Sequence, residues 1–283
     1  MPNRPAPRLT PADIRARKGA GQPIVMLTAY DFVSGQVAER AGVDIVLVGD
    51  SAAMTVLGYA STRLVSADEM LMLTGATRRG APASLIVGDL PFGSYEESDA
   101  RAVATARRFL DAGADAVKLE GAGPIAARVR ALVAAGIPVM GHVGLTPQSS
   151  GGPEGFRVQG RSAESARSLL ADAAALEAAG CFAIVAEAVP APVARLLTTR
   201  VRVPVIGIGA GGATDGQVLV LNDLLGLYDG HVPRFVRRYA ELQAAMIDAV
   251  RRYAADVRAR RFPAEEHEYG MPAAELQRLQ AML

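Results

Sequence analysis

Short runs of aliphatic residues recur along this chain, separated by stretches whose apolar positions repeat with helical spacing. The runs are Pro23–Tyr30 (PIVMLTAY), Asp44–Asp50 (DIVLVGD), Ser84–Leu90 (SLIVGDL), Ala116–Glu120 (AVKLE), Pro138–Val143 (PVMGHV), Phe182–Val189 (FAIVAEAV) and Val203–Ile208 (VPVIGI), with an eighth inside Gln217–Leu227. Near-continuous aliphatic content at this length predicts strands buried on both faces. Helices are predicted between them over Ser34–Ala41, from Ser66 to about Gly80, and over Glu96–Ala112, Pro124–Ala135, Ser162–Ala179 and Pro190–Thr199. Ser66 followed by Glu69 has the form of a capping box. Gly113 and Gly136 stand where a helix end turns left-handed. Pro233–Arg261 reads as a long basic amphipathic helix, and Pro272 opens a last helical piece. Eight strands alternating with helices across residues 23–262 predict an α/β fold, a (β/α)8 TIM barrel. A doubly wound open sheet would carry a Gly-rich turn after its first strand, where this chain has TAYD. Residues 1–22 are expected to be irregular and 263–283 to form a tail with a short helix.

Four of these runs carry an acidic residue at the downstream end of their aliphatic stretch: Asp50, Asp89, Glu120 and Glu187. In a closed parallel barrel all strand C-termini face one end, so the four side chains are expected to converge there. Converging carboxylates repel unless they share a cation or a proton. Asp50, Asp89 and Glu120 come from consecutive strands and offer three oxygen ligands. That set suits a hard ion that keeps several waters: Mg2+ best, with Mn2+ or Co2+ possible. The alternative is that the carboxylates cap helix N-termini. Tetrahedral Zn2+ is disfavoured, because the three histidines are scattered at 142, 231 and 267.

Composition adds one sharp detail. Of 30 basic residues only Lys18 and Lys118 are lysines, and Lys118 stands two residues before Glu120. A compact ammonium kept in so Arg-rich a chain points to a shape-limited cationic role. Otherwise the chain is ordinary. It has 283 residues, half of them apolar, and a net charge of +1, which gives no case for nucleic acid or an anionic membrane. The N-terminus has no apolar core like that of a secretory signal. A single Cys181 agrees with a reducing, cytoplasmic setting and reads as a buried thiol.

A hard ion with open positions suits a 2-oxo acid, gripped through its keto and carboxylate oxygens, and acidifies the neighbouring carbon. Lys118 would add positive charge. The base must then be a group outside the ligand set, for which Glu187 is the candidate and His142 the reserve. Ser51 has no triad partners in the pattern and is expected to donate a hydrogen bond to the substrate carboxylate. GIGAGGATDG (Gly207–Gly216) fits either a phosphate cradle or the bend that closes strand seven.

The residues resemble the ketopantoate hydroxymethyltransferase (3-methyl-2-oxobutanoate hydroxymethyltransferase) family. The matching segments include TAYD (28–31), LVGDS (47–51), MTVLGY (54–59), GDLPFGSYE (88–96), AGADAVKLEG (112–121), IPVMGHVGLTPQS (137–149), FRVQGR (156–161), LEAAGCFAIVAEAVP (176–190) and VPVIGIGAGGATDGQVLV (203–220). The resemblance implies a barrel of the phosphoenolpyruvate/pyruvate superfamily type. It implies Mg2+ on Asp50, Asp89 and Glu120, substrate on Ser51, Asp89, Lys118 and His142, and Glu187 as catalytic base. It implies 5,10-methylenetetrahydrofolate as co-substrate, 3-methyl-2-oxobutanoate as acceptor in pantothenate and coenzyme A biosynthesis, and a homo-oligomer, commonly a decamer.

Departures from the family pattern fall at Ala52, Ala53, Ala60, Arg63, Leu64, Leu73, Ala186 and Ala188. Several sit after strand two, where they are expected to border the substrate's alkyl group. The alternatives are therefore a paralogue acting on another 2-oxo acid, a metal-dependent carbon–carbon lyase or phosphonate-type mutase, or an idle barrel serving as an assembly subunit.

Overall fold

Strand β1 (Ile24–Thr28) pairs in parallel with β2 (Ile45–Val48), and the pairing continues through β3 (Leu85–Asp89), β4 (Ala116–Lys118), β5 (Val139–Gly144), β6 (Ala183–Glu187), β7 (Val205–Ile208) and β8 (Gly216–Leu219). Strand β8 then returns to β1, Ile24 standing opposite Gly216, and closes the barrel. This is a computed structural model that describes residues 8–150, 156–230 and 232–283. His231 and residues 151–155 of the Gly-rich loop lie outside the described residues.

Period-2 alternation sorts each strand between two cores. Ile45, Leu47, Leu85, Val87, Ala116, Met140, Ala183, Val185 and Ile206 fill the barrel interior. Their neighbours Val46, Val48, Ile86, Val117, Val139, Ile184 and Val205 pack outward under the helices. The outer layer comprises α2 (Phe32–Arg40), α4 (Ala67–Gly80), α5 (Asp99–Asp111), α6 (Ile125–Ala134), α7 (Ala163–Ala179) and α8 (Ala191–Arg200), each following its strand. Short helices α3 (Ala52–Thr55) and α9 (Leu221–Leu224) follow β2 and β8. The Ser66–Glu69 capping box starts α4 as the pattern predicts, and Gly180 ends α7 in the left-handed conformation at φ 103°.

The segment read as irregular holds α1 (Pro11–Ala16), started by a Thr10–Asp13 capping box. Its Ile14 is fully buried in the inner cluster, so it stoppers the N-terminal end of the barrel. The long helix is also shorter than expected. It begins at Leu242 rather than Pro233 and runs to Arg258 as α10. The backbone N–H groups of Tyr239, Leu242 and Gln243 donate to the carbonyls of Leu224, Leu225 and Gly226, which ties the segment down until that point. The tail contains α11 (Ala273–Met282). Among the described residues no helix is long and apolar enough to cross a membrane.

Candidate active site

The alternation that fills the barrel also aims its chemistry. Asp89 follows Leu85 and Val87 in the inward register of β3, and it pairs across to Lys118 of β4. Glu120 continues the inward set of β4, His142 that of β5, and Glu187 that of β6. Asp50 and Ser51 lie just beyond β2, in the turn entering α3. All seven expected residues, Asp50, Ser51, Asp89, Lys118, Glu120, His142 and Glu187, line one cavity of about 720 Å³ at the C-terminal mouth.

Lys118 is buried and its Nζ donates to both carboxylate oxygens of Asp89, at 2.6 and 2.7 Å. It also stands 3.9 Å from Glu120. The Asp50 backbone N–H donates to Asp89 at 3.3 Å. His142 lies between two carboxylates, with Nδ1 3.4 Å from Glu120 and Nε2 3.3 Å from Glu187. Neither N–H is well aligned with its partner. Ser51 Oγ shares a 2.9 Å hydrogen bond with the hydroxyl of buried Tyr30.

One organiser escaped the sequence reading. Gln148 donates through Nε2 to Asp50 at 2.9 Å and to the Leu90 carbonyl at 3.0 Å, and its backbone N–H donates to Glu120 at 3.0 Å. Its Oε1 accepts the Tyr95 hydroxyl at 2.7 Å. A neutral amide in a loop carries no periodic signal. Its only sequence trace was its place in the GHVGLTPQS motif.

Charge in this pocket is unbalanced. Burial raises the Asp50 carboxyl well above its usual range, and the charges of Asp89 and Glu120 push it further. Burial also raises Asp89, against the pull of Lys118. Glu120 is held low, because His142, Lys118 and the Gln148 N–H outweigh the effect of burial. Burial and Lys118 act to lower His142, but Glu120 and Glu187 prevail and bring it to about 9. At the strand ends β2 to β6 four carboxylates, Asp50, Asp89, Glu120 and Glu187, thus face two basic groups, Lys118 and His142, while Asp223, Arg157 and Arg234 line the rest of the cavity. Among the described residues Asp50 has no cation paired with it, which fits the chemistry of a hard divalent ion. Among the described residues no three potential ligands are already spaced to hold a metal. Lys118 engages both oxygens of Asp89, one of which an ion would have to share.

The family departures do not reach the cavity as expected. Ala52 and Ala53 are fully buried in the layer between barrel and helices, and Leu73 packs there too. Arg63 stacks on Phe92, 4.0 Å from the ring centre. Of the departing positions only Ala188 lines the cavity. It sits at φ 48°, a left-handed conformation costly for alanine, directly after Glu187.

A model of the ketopantoate hydroxymethyltransferase family matches residues 8–265. The 3-methyl-2-oxobutanoate hydroxymethyltransferase of Oleidesulfovibrio alaskensis is 53% identical over 271 residues, covering 95% of this chain and 93% of that protein. Among solved structures, phosphonopyruvate hydrolase in complex with oxalate and Mg++ aligns with a TM-score of 0.60 and 16% identity, over 97% of this chain and 96% of that one. The 2,3-dimethylmalate lyase, a PEP mutase/isocitrate lyase superfamily member, aligns with a TM-score of 0.57 and 16% identity, over 97% and 99%. At these identities the structural likeness is one of fold.

Proposed function

The chain belongs to the ketopantoate hydroxymethyltransferase family, and from that premise we propose how the mouth of its barrel works. The enzyme adds a hydroxymethyl group to 3-methyl-2-oxobutanoate, giving 2-dehydropantoate. The one-carbon unit comes from 5,10-methylenetetrahydrofolate, and water supplies the hydroxyl. The observation that carries the site assignment is the convergence of Asp50, Asp89, Lys118, Glu120, His142 and Glu187 on one cavity, with four carboxylates to two basic groups among them.

Asp50, Asp89 and Glu120 would hold a divalent ion such as Mg2+, which when bound supplies Lewis-acid polarisation of the keto group. Ser51 orients the substrate carboxylate, its hydroxyl steadied by Tyr30. Lys118 places an ammonium beside the keto oxygen, where negative charge grows as the C3 proton leaves. Glu187 accepts that proton. Its carboxylate is 18% exposed, open to the cavity, with His142 Nε2 3.3 Å away. Gln148 fixes the rotamers of Asp50 and Glu120 from behind.

The test is exchange of the C3 proton of 3-methyl-2-oxobutanoate for deuterium, followed without folate. Glu187→Gln is expected to slow it by about 10²–10⁴ with keto-acid binding retained. Exchange at the parent rate would move the base elsewhere, His142 first.

A homo-oligomer fits the same reading. Helix α10 buries no residue, and Leu242, Met246, Val250, Tyr253 and Val257 form an exposed apolar stripe along it. Light scattering reads the mass directly, and a monomer at micromolar concentration would end this part. A cytoplasmic setting agrees with the one free, buried Cys181.

A further inference from the structure

We infer that the outer half of the cavity seats the one-carbon donor, with the Asp223 carboxylate accepting from the N3–H and 2-amino edge of its pterin. This rests on the transferase reading above. A cavity of about 720 Å³ lies in the range that holds a drug-sized molecule, far more than a small branched keto acid fills. The keto-acid machinery is confined to the ends of β2 to β6. Asp223 lies apart from it, on α9 after β8, and lines the same cavity.

The Asp223 carboxylate is half-buried, and among the described residues it accepts no hydrogen bond and makes no ion pair within 4 Å. Burial raises its pKa, and only the more distant charge of Arg238 opposes the shift. A carboxylate withdrawn from water without donors carries a penalty that a ligand with two adjacent N–H groups would relieve. The edge of a reduced pterin presents such a pair.

The rim supplies the rest. Phe156 and Phe235, 37% and 38% exposed, line the opening and offer apolar faces to the pterin and aminobenzoyl rings. Arg157 and Arg234 are exposed on the same rim and suit the glutamyl carboxylates. The Gly-rich loop after β7 gains a role here. Gly209, at φ +63°, packs so close to Phe235 that a Cβ there would lie 2.6 Å from the ring. The glycine makes room for an aromatic wall, a use that needs no phosphate.

The experiment compares Asp223→Asn with the parent in two assays. Folate-independent C3 exchange of 3-methyl-2-oxobutanoate is expected to be unchanged. The KM for 5,10-methylenetetrahydrofolate is expected to rise on the order of ten- to a hundredfold, the scale of a charged hydrogen-bond pair. A tetrahydrofolate carrying a 2-methyl in place of the 2-amino group should bind the parent more weakly than tetrahydrofolate does, and Asp223→Asn with little such preference. Phe235→Leu should raise the same KM and spare exchange. An unchanged folate KM in Asp223→Asn, or exchange lost along with transfer, overturns the assignment. A parent enzyme that exchanges C3 and never transfers a carbon overturns the transferase reading itself, and the assignment with it.

Discussion

The two ends of the barrel carry the same kinds of charge and use them in opposite ways, and the chain's two lysines make the contrast direct. At the N-terminal end Lys18 donates to Asp215 at 2.7 Å and to the Thr198 carbonyl at 2.6 Å. Asp215 also accepts the Val205 backbone N–H at 2.8 Å. Beside it Arg17 pairs with Asp44 at 2.6 Å, and Asp44 accepts the Val25 N–H at 2.8 Å. Lys18 and Arg17 thus each have a carboxylate, Arg8 and Arg78 share Asp115, and Asp215, Asp44 and Asp115 each also accept a strand N–H. At the mouth Lys118 is shared between Asp89 and Glu120, and among the described residues the Asp50 carboxylate has the neutral Gln148 amide as its only side-chain partner. A balanced pair needs nothing further. A buried surplus of one sign is a standing demand for a ligand, and functional sites are where such surpluses persist.

Exchanging each lysine for methionine tests this division most severely. Lys118→Met should lower kcat by about 10³, since on the proposed mechanism it removes the ammonium beside the developing negative charge. Lys18→Met should leave kcat and both KM values near the parent's and cost about 1–3 kcal/mol of stability, because Asp215 loses a part-buried charged partner. Steady-state kinetics and thermal melts on the same two proteins give the answer. Substantial catalysis in Lys118→Met with impaired catalysis in Lys18→Met would erase the distinction between the ends.

Which end was legible in the sequence follows from the same physics. Strands, closure and the inward carboxylates could be read because aliphatic runs and period-2 alternation are local signals, and Asp89, Lys118, Glu120 and Glu187 obey them. Gln148 could not be read, since its importance comes from touching Asp50, Glu120, Leu90 and Tyr95 across the fold. Ile14 fell within the segment expected to be irregular, and the closed barrel gives it an interior to fill. Asp223 follows a four-residue strand and opens no periodic helix. Residues 233–241 mimic the composition of the helix that follows, but Tyr239 donates its backbone N–H to Leu224 of α9, and Leu242 and Gln243 donate to the residues just after it.

A smaller effect sharpens the contrast from the mouth side. Asp50→Asn removes the carboxylate that has no cation and keeps an oxygen for the Gln148 amide. The metal-free protein is expected to gain about 1 kcal/mol, as buried charges without full compensation often do when neutralised. Any rise in melting temperature that Mg2+ gives the parent should be lost, and activity with it. A variant both less stable and still stabilised by Mg2+ would show that Asp50 is a structural cap.

The smallest expected effect lies toward the quiet end. Cys181 precedes β6 and is buried against Gly141, where an added Cβ would lie 3.1 Å from its Sγ. Burial raises this thiol from the ordinary value of 9.0 to about 12. The unfolded chain therefore ionises first as pH climbs past 9, while the folded chain keeps its proton. The contribution of this group to stability is intact below pH 9 and falls between 9 and 12, by at most about 1.4 kcal/mol per pH unit. Comparison with Cys181→Ala isolates the term: the stability advantage of the parent, measured by urea unfolding, should shrink from pH 8 to pH 10. A constant difference across that range would mean that the thiol ionises equally in both states, and that this end of the barrel is more open to water than its packing indicates.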